Sequence, residues 1–370
     1  MALNIQRLNF DPVTGDNASE AFMKLDLDIG EIAQAIDGDG SPGAGIDGRL
    51  TTVEAVVDGL GNASSKDVGT AANTVAAGDD GRFTYRGMRN LLINGGFRFN
   101  QRGFAGGNLA ANTYGYDRWR TFGAGASITR SADRSTITLN GTIGQIIESP
   151  DLAGATVTVS VKNPSGAITV NLRPDATTAA VTGVIAAGAG TKSVTLVIPA
   201  SMTGNVFLQL ATAAPVTFDG SAKQGGVQLE LGSFASAFEL RPAGTEFGLC
   251  QRYFCKSFDP DVTPALNLAS GTGGQSTHIA TGLSTGNART EGIPFPVQMR
   301  STPALTLYTT SSAPSQANSW ALFTSSYFTC PSPTPSVSTT GFSVTLVFGS
   351  GLVQASSYTV AGHWTADAEL

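Results

Sequence analysis

Two short segments near the N-terminus carry apolar residues at alternating spacings of three and four. These positions are Phe22, Leu25, Ile29, Ile32 and Ile36 in the first segment, and Ile46, Leu50, Val53, Val57 and Leu60 in the second. Such spacing is typical of a coiled-coil seam, and Ile and Leu at both seam positions favour three strands. Each segment covers only about two heptads, so partner helices would have to stabilise it. The pattern predicts a trimer seam, with two amphipathic helices packed on a monomeric core as the alternative.

From about residue 91 to 241 the pattern changes to short runs in which apolar and polar residues alternate. The runs at 157–161 and 168–172 each place aliphatic side chains on one face, and "NPSG" between them has turn chemistry. This arrangement predicts a β-hairpin. Roughly eight such runs, spaced at about 8–12 residues without a helix between them, predict a β-sandwich of the jelly-roll type.

The block from about residue 257 to 370 also alternates like strands, but it is almost uncharged. No charged side chain occurs between Arg300 and Asp367, while Ser, Thr, Asn, Gln and Pro interrupt the apolar residues too often for a membrane span. A surface of hydroxyls, amides and aromatics suits carbohydrate recognition or burial against identical subunits. Between the two β blocks, a short helix around Glu246 to Phe254 is predicted to bridge the domains.

Composition and charge narrow the class of protein. Charged residues make up 14% of the chain and there are 45 glycines, which favours short strands and tight turns. The net charge is −6, the sequence pI is near 5.0, and no Lys/Arg cluster is found, so nucleic-acid binding is not expected. No N-terminal secretory signal is recognisable. Cys250, Cys255 and Cys330 lack the spacing of a zinc site and are interpreted as buried thiols.

Candidate catalytic groups are few. "GLSTG" fits the nucleophile-elbow pattern with Ser284 as nucleophile, and the chain order Ser284, Glu291, His363 would allow a triad. No helix signal follows Gly286, however, so catalysis is not expected. His278 is a weak metal candidate, because three copies could meet on a trimer axis. No cofactor is predicted.

Aromatic residues in the uncharged block are the candidates for sugar contact. Trp320, Tyr327 and Tyr308 could stack on sugar rings while nearby amides and hydroxyls fix the orientation. Trp320 is favoured because Ser, Gln and Asn surround it in sequence. The alternative for each is an ordinary core position.

Several stretches from about residue 61 onward are familiar from one family. They are "NLLINGGFRFNQRG", "YGYDRW", "VQLELGSFASAFELRP", "EFGLCQRYF", "PFPVQMRSTPAL" and "WTADAEL". Together they resemble bacteriophage tail-fibre proteins, and "SSKDVGTAANTVAAGDDGRF" resembles the linker that precedes the distal domains of those proteins. None of these motifs is catalytic.

The resemblance implies a homotrimer in the virion, folded in the host cytoplasm before assembly. Its N-terminus would attach to a phage tail or baseplate protein, and its distal end would bind host polysaccharide or lipopolysaccharide. The implied domains are a virion anchor with short coiled-coil segments (1–60), a linker (61–90), a carbohydrate-module-like β-sandwich (91–241), a helical bridge (242–256) and a distal receptor-binding β domain (257–370).

The sequence therefore predicts a mainly β protein with N-terminal coiled-coil helices, a jelly-roll-like sandwich and a distal β tip. Its predicted function is that of a tail fibre and glycan adhesin, without catalytic activity or membrane insertion. Two alternatives stay open. One is a tail-associated polysaccharide depolymerase or esterase, and the other is a structural virion connector or head fibre.

Overall fold

The computed structural model describes residues 88–175, 180–220, 225–268, 277–284, 286–310, 318–323, 327–330, 333–348 and 351–370. The chain divides into two compact units, Met1–Asp80 and Gly81–Leu370, and the description below concerns the second. All ten predicted seam residues lie outside the described residues, as do the side chains of His278 and Tyr327. The coiled coil and the trimer therefore stay predictions.

Strands dominate the described residues, which confirms the mainly β prediction. The strands are β1 Gly107–Leu109, β2 Arg120–Thr121, β3 Ala126–Arg130, β4 Thr136–Ile147, β5 Thr156–Lys162, β6 Ile168–Arg173, β7 Val181–Ile185, β8 Thr191–Val197, β9 Val206–Asp219, β10 Gln228–Leu231, β11 Phe254–Lys256, β12 Thr277–Ser284, β13 Asn287–Thr290, β14 Ile293–Pro294, β15 Ala304–Tyr308, β16 Ala321–Phe323, β17 Tyr327–Thr329, β18 Thr334–Val337, β19 Gly341–Val347, β20 Ser357–Ala361 and β21 His363–Asp367. One helix, α1 at Ala243–Gln251, is found in this part of the chain.

These strands form four sheets, and every pairing between them is antiparallel. The first sheet has the order β1-β3-β4-β9-β6-β7 with β2 also on β4, and the second has the order β10-β5-β8. The third sheet has the order β11-β21-β15. The fourth has the order β14-β19-β13-β12-β20-β16-β17 with β18 also on β19.

The first two sheets pack face to face as a sandwich. Val157 and Val159 of β5 enter the same buried cluster as Ile143 of β4 and Leu208 of β9. Aliphatic alternation explains the arrangement, because every second side chain of a strand points to the same face. We call the part built by β1 to β10 the sandwich. The sequence prediction of a β-sandwich is confirmed at this level.

The predicted hairpin of 157–161 with 168–172 is wrong. β5 pairs with β8 and β10, whereas β6 pairs with β7 and β9 in the opposite sheet. The connecting backbone bonds elsewhere: Asn163 N donates to Gly190 O, and Ser165 N donates to Thr217 O. Two strands that each carry one aliphatic face bury both faces when they lie on opposite sides of a core. The turn therefore crosses between the sheets.

The third and fourth sheets enclose a second core, and we call this part the distal domain. β19 shows the alternation clearly, since Phe342, Val344 and Leu346 are buried while the residues between them are half-buried. Trp364 of β21 meets Phe342 edge-on, with ring centroids 5.3 Å apart. The uncharged composition thus builds a packed aromatic and aliphatic core.

The connection between the two parts is short and largely buried. α1 ends at Gln251, three residues before the predicted helix end at Phe254, and Phe254 already begins β11 of the distal domain. Tyr253 and Phe254 are buried at this junction, and Leu249 is half-buried. All three cysteines are free and buried, as predicted. No helix among the described residues is long and apolar enough to cross a membrane.

Candidate functional site

The distal domain carries an open groove with a cavity volume of about 520 Å³. We call it the distal groove. Its lining residues come from the loop and strand before Phe295 and from the turn between β18 and β19; they are Gly292, Ile293, Pro294, Ser336, Val337, Ser338, Thr340, Gly341, Phe342 and Ser343. Four of these carry hydroxyls and none carries a charge.

Strand register produces the depression. β19 is flanked at its start by β14 on one side and β18 on the other, so that Gly341 lies opposite Pro294 and Ser343 lies opposite Ser336. Because Phe342 points into the core, Gly341 and Ser343 face outward. A Cβ at Gly341 would lie only 2.5 Å from Ile293 O. The glycine therefore allows β14 to approach and leaves a floor without a side chain.

The rim of the groove is a tight turn held by its own hydroxyls. Ser338 Oγ donates to Gly341 O at 2.9 Å and accepts the Thr340 N–H at 3.2 Å. The backbone N–H of Ser338 also donates to Gly341 O at 2.9 Å. The Ser338 hydroxyl is thus committed to the turn, whereas Ser336 on the neighbouring strand is exposed to solvent. A rigid rim of this kind fixes the shape of the groove before any ligand arrives.

Arg289 reaches the groove from the neighbouring strand β13. It is exposed and lies directly opposite Thr345, yet its Nε and Nη2 donate to Ser343 Oγ at 3.3 and 3.0 Å. The guanidinium therefore leans two residues along β19, towards the groove. Ser343 Oγ accepts both bonds, so its own O–H remains available as a donor.

The same outer face of the fourth sheet continues as a polar row across five strands. The row runs through Ser357, Thr281, Arg289, Thr345 and Thr334, each opposite the next. Four of these residues are exposed and Thr345 is half-buried. A flat face of hydroxyls around one guanidinium offers hydrogen-bond donors and acceptors over a length that suits an extended polar ligand.

Trp320, the favoured aromatic candidate, is not on this surface. Its indole is 0% exposed and its Nε1 donates to His363 O at 2.9 Å. The ring packs against Gly362, where a Cβ would lie 1.9 Å from Trp320 Cδ1. The indole is thus packed inside the distal domain. The prediction that Trp320 contacts a sugar is therefore corrected, and the residue is assigned to the core.

The other two aromatic candidates differ in what the structure says of them. Tyr308 is half-buried, its ring meets Phe258 edge-on at 5.4 Å between centroids, and its hydroxyl lies 3.3 Å from Thr365 Oγ1. It lies on β15 of the third sheet, apart from the polar row of the fourth. The side chain of Tyr327 is outside the described residues.

The residues of the possible triad are not arranged as a nucleophile elbow. Ser284 ends β12 and pairs with Asn287 at the start of β13, so a strand rather than a helix follows it. His363 is buried in the distal core, where its Nδ1 lies 3.0 Å from Ser257 Oγ and its ring stacks on Phe258. Burial lowers the pKa of His363, and Asp259 opposes this shift. Its described hydrogen-bond partner is Ser257 rather than Ser284.

A second concave surface lies on the sandwich, with a cavity volume of about 220 Å³. Two of its polar side chains are already engaged. Lys162 Nζ lies 4.0 Å from Asp219 Oδ2, and the Ser236 hydroxyl donates to Glu230 Oε2 at 2.6 Å. The distal groove has the larger volume of the two, and its Ser336 is exposed. Within the described residues, no cluster of three or more His, Cys, Asp or Glu side chains could hold a metal ion.

Comparisons with known proteins give distant likenesses to solved structures. No protein-family model and no curated protein matches the chain. Among solved structures, the carbohydrate-binding module TmCBM61 in complex with β-1,4-galactotriose is 17% identical, with a TM-score of 0.22 over 39% of this chain and 99% of that one. A Paenibacillus cycloisomaltooligosaccharide glucanotransferase, in complex with cycloisomaltoheptaose, is 10% identical, with a TM-score of 0.19 over 71% of this chain and 46% of that one. Both TM-scores are too low to carry an inference.

Sequence reasoning missed Arg289 and the hydroxyls of the distal groove. The local signal was present, because "NART" and "GFSVTLV" alternate and place Arg289 and Ser343 on polar faces. What the pattern could not reveal is that β13 and β18 both pair with β19 and so bring these side chains onto one surface.

Proposed function

We propose that this chain is a bacteriophage tail fibre that attaches to a bacterium by binding a surface glycan in the distal groove, and that it catalyses no reaction. The observation that carries the proposal is the groove itself, with outward hydroxyls over a glycine floor and a guanidinium at its edge. Sugars are bound through directional hydrogen bonds to such groups, placed on a rigid scaffold. The resemblance of the chain to tail-fibre proteins supplies the biological setting.

In this proposal the chain acts as a homotrimer in the virion. The seam from Phe22 to Leu60 would join three copies and present the N-terminus to a tail or baseplate protein. The sandwich, which we take to be of jelly-roll type, would connect this anchor to the distal domain. Three grooves on one fibre would convert weak single-site binding into firm attachment, because a second binding event on the same particle is intramolecular.

An enzymatic role is the second candidate, and one observation bears on it. Glu148 is half-buried, and its Oε2 accepts from Tyr253 at 3.0 Å and pairs with Arg252 at 3.1 Å. A carboxylate held in this way stabilises the junction and is poorly placed to act as a general acid. The proposal therefore favours reversible binding over cleavage.

The test uses the full chain with purified bacterial surface polysaccharides, and it records both bound protein and released sugar fragments. Ser336→Tyr fills the groove from the exposed edge strand β18. Ser193→Tyr places the same ring on β8, an exposed edge strand of the sandwich, and is the matched control.

We expect the wild type to bind polysaccharide without releasing sugar fragments. The affinity for polysaccharide should fall roughly tenfold or more in Ser336→Tyr and should stay at the wild-type value in Ser193→Tyr. Unchanged binding in Ser336→Tyr would remove the distal groove as the site. Fragments that disappear in Ser284→Ala or Glu291→Gln would replace the adhesin with a depolymerase or esterase.

A further inference from the structure

Arg289 stands out because it is an exposed cation whose guanidinium contacts a groove without charged lining residues, although the exposed Glu291 lies two positions further along the chain. Between Arg300 and Asp367 the sequence has no charged side chain. Arg300 itself is turned to the junction, where its Nε donates to Ala368 O at 2.9 Å. Within the described residues, no carboxylate lies within 4.0 Å of the Arg289 guanidinium; the described ion pairs are elsewhere. Arg289 thus has no charged partner of its own in this part of the chain.

Ser343 orients the side chain of Arg289. Two of its nitrogens donate to the single Ser343 Oγ, which holds the plane of the guanidinium against the outer face of the sheet. Arginine carries five N–H donors, so the Nη1 pair and the second Nη2 hydrogen remain for another acceptor. The side chain is therefore positioned before binding, which reduces the entropy cost of a contact made there.

The fold has no evident need for a charge at this position. Thr345 and Thr281 are the direct neighbours of Arg289 on the two adjacent strands, and hydroxyl residues occupy the rest of the row. A neutral sugar could be bound by hydroxyls alone. A planar guanidinium instead matches the paired oxygens of a carboxylate or a phosphate, and a charge-assisted bidentate contact is stronger than a neutral hydrogen bond.

The charge of the whole chain strengthens this reasoning. Its net charge of −6 disfavours general attraction of a polyanion, so an acidic ligand would need a local cation. Building on the function proposed above, we propose that the glycan bound in the distal groove is acidic, and that Arg289 binds its carboxylate or phosphate group. Ser343 orients Arg289, and the groove hydroxyls bind the sugar next to the anion.

The experiment measures binding of the full chain to matched acidic and neutral polymers. Polygalacturonate is compared with its fully methyl-esterified form, which removes the charge but keeps the sugar, and poly(glycerol phosphate) supplies a phosphate without a carboxylate. A panel of purified bacterial surface polysaccharides, neutral and acidic, is tested in parallel. The variants are Arg289→Gln, Arg289→Lys and the control Arg134→Gln, an exposed arginine on the sandwich.

We expect the wild type to bind only the acidic polymers. The affinity for these polymers should fall roughly 10- to 100-fold in Arg289→Gln and by less in Arg289→Lys. Arg134→Gln should bind like the wild type. Binding to polygalacturonate or to poly(glycerol phosphate) would identify the anion as carboxylate or phosphate. Equal binding of acidic and neutral polysaccharides, unchanged in Arg289→Gln, would overturn this inference and leave the adhesin standing. No binding to any polysaccharide in the panel would overturn the proposed function as well.

Discussion

Arg118 of the sandwich and Glu369 near the end of the chain form a buried ion pair, although 251 positions separate them. The side chains are 1% and 5% exposed. The guanidinium lies 3.5 Å above the Tyr253 ring, and its Nη2 donates to Ile146 O at 2.6 Å. Glu369 also lies 3.4 Å from Arg102. The last residues of the chain thus bind the distal domain to the sandwich.

Removal of this carboxylate should destabilise the whole folded unit. Glu369→Gln leaves the Arg118 charge buried without an anion, and we expect it to lower the free energy of unfolding by about 3 kcal/mol or more. Urea denaturation measures the change. Glu291→Gln, which alters an exposed carboxylate of the distal domain, should stay within about 0.5 kcal/mol of wild type. Equal effects of the two variants would contradict the role of the pair.

The contact of Gly362 with Trp320 predicts a second stability effect. In Gly362→Ala the new methyl group would lie 1.9 Å from Trp320 Cδ1, so the indole must leave its place in the core. We expect Gly362→Ala to lower the free energy of unfolding by about 3 kcal/mol or more, as measured by thermal unfolding. Gly292→Ala, with open space around the added methyl group, should change stability by less than about 1 kcal/mol. A tolerant Gly362→Ala would argue for an indole that can move out to solvent.

The buried His363 predicts a loss of stability in mild acid. Burial lowers its pKa in the folded protein below the ordinary value of 6.5, and the charge of Asp259 opposes this shift. The unfolded chain therefore takes up the proton first. Stability is fully present above the unfolded pKa and falls as the pH drops through 6.5 towards the folded pKa, by at most about 1.4 kcal/mol per pH unit.

Paired variants at the two histidines isolate this effect. The difference in unfolding free energy between pH 7.5 and pH 5.5 should shrink in His363→Gln and persist in His278→Gln. The absolute stability of His363→Gln does not matter for the comparison, because only the difference between the two pH values is used. An unchanged difference in His363→Gln would assign the acid sensitivity to other groups.

The three cysteines should not react with thiol reagents in the folded protein. Burial raises the pKa of Cys255 to about 12 and that of Cys250 well above its ordinary value, so very little thiolate exists at pH 8. Cys330 is buried as well. A thiol reagent such as DTNB should therefore label none of the three until denaturant is added. Val353→Cys, at a position 63% exposed, should add one rapidly labelled thiol to the folded protein.

The predicted coiled-coil seam of the N-terminal segments is tested by the mass of the full chain in solution. In analytical ultracentrifugation we expect the wild type to have a mass of three times 37.9 kDa. The double variant Ile29→Asp, Ile32→Asp should not form this trimer, because unpaired charges at seam positions are costly to bury. Gln34→Asp changes a position off the seam and should remain assembled. A monomeric wild type, or a double variant of unchanged mass, would refute the seam.

Features that depend on residues adjacent in sequence could be predicted, whereas features that depend on contacts between residues far apart in sequence could not. Alternation along "GFSVTLV" predicted the strand that the structure shows as β19, since side-chain direction in a strand depends on adjacent residues alone. Strand partners depend on the whole chain, so β5 and β6 were taken for a hairpin although they lie in opposite sheets. The exposure of Trp320 was misjudged for the same reason. Its sequence neighbours are polar, but Gly362, 42 positions further on, makes room for it in the core.

The strand β21 also determines when the protein can fold during its synthesis. All strands of the sandwich lie between Gly107 and Leu231, so it can close while the rest of the chain is still being translated. The third sheet cannot, because its central strand β21 lies between β11 and β15 and follows both of them in the chain. Until residues 363–370 leave the ribosome, β11 and β15 expose unpaired edges that can join a neighbouring nascent chain. The yield of folded protein should therefore depend on how quickly β21 is synthesised after β11 and β15.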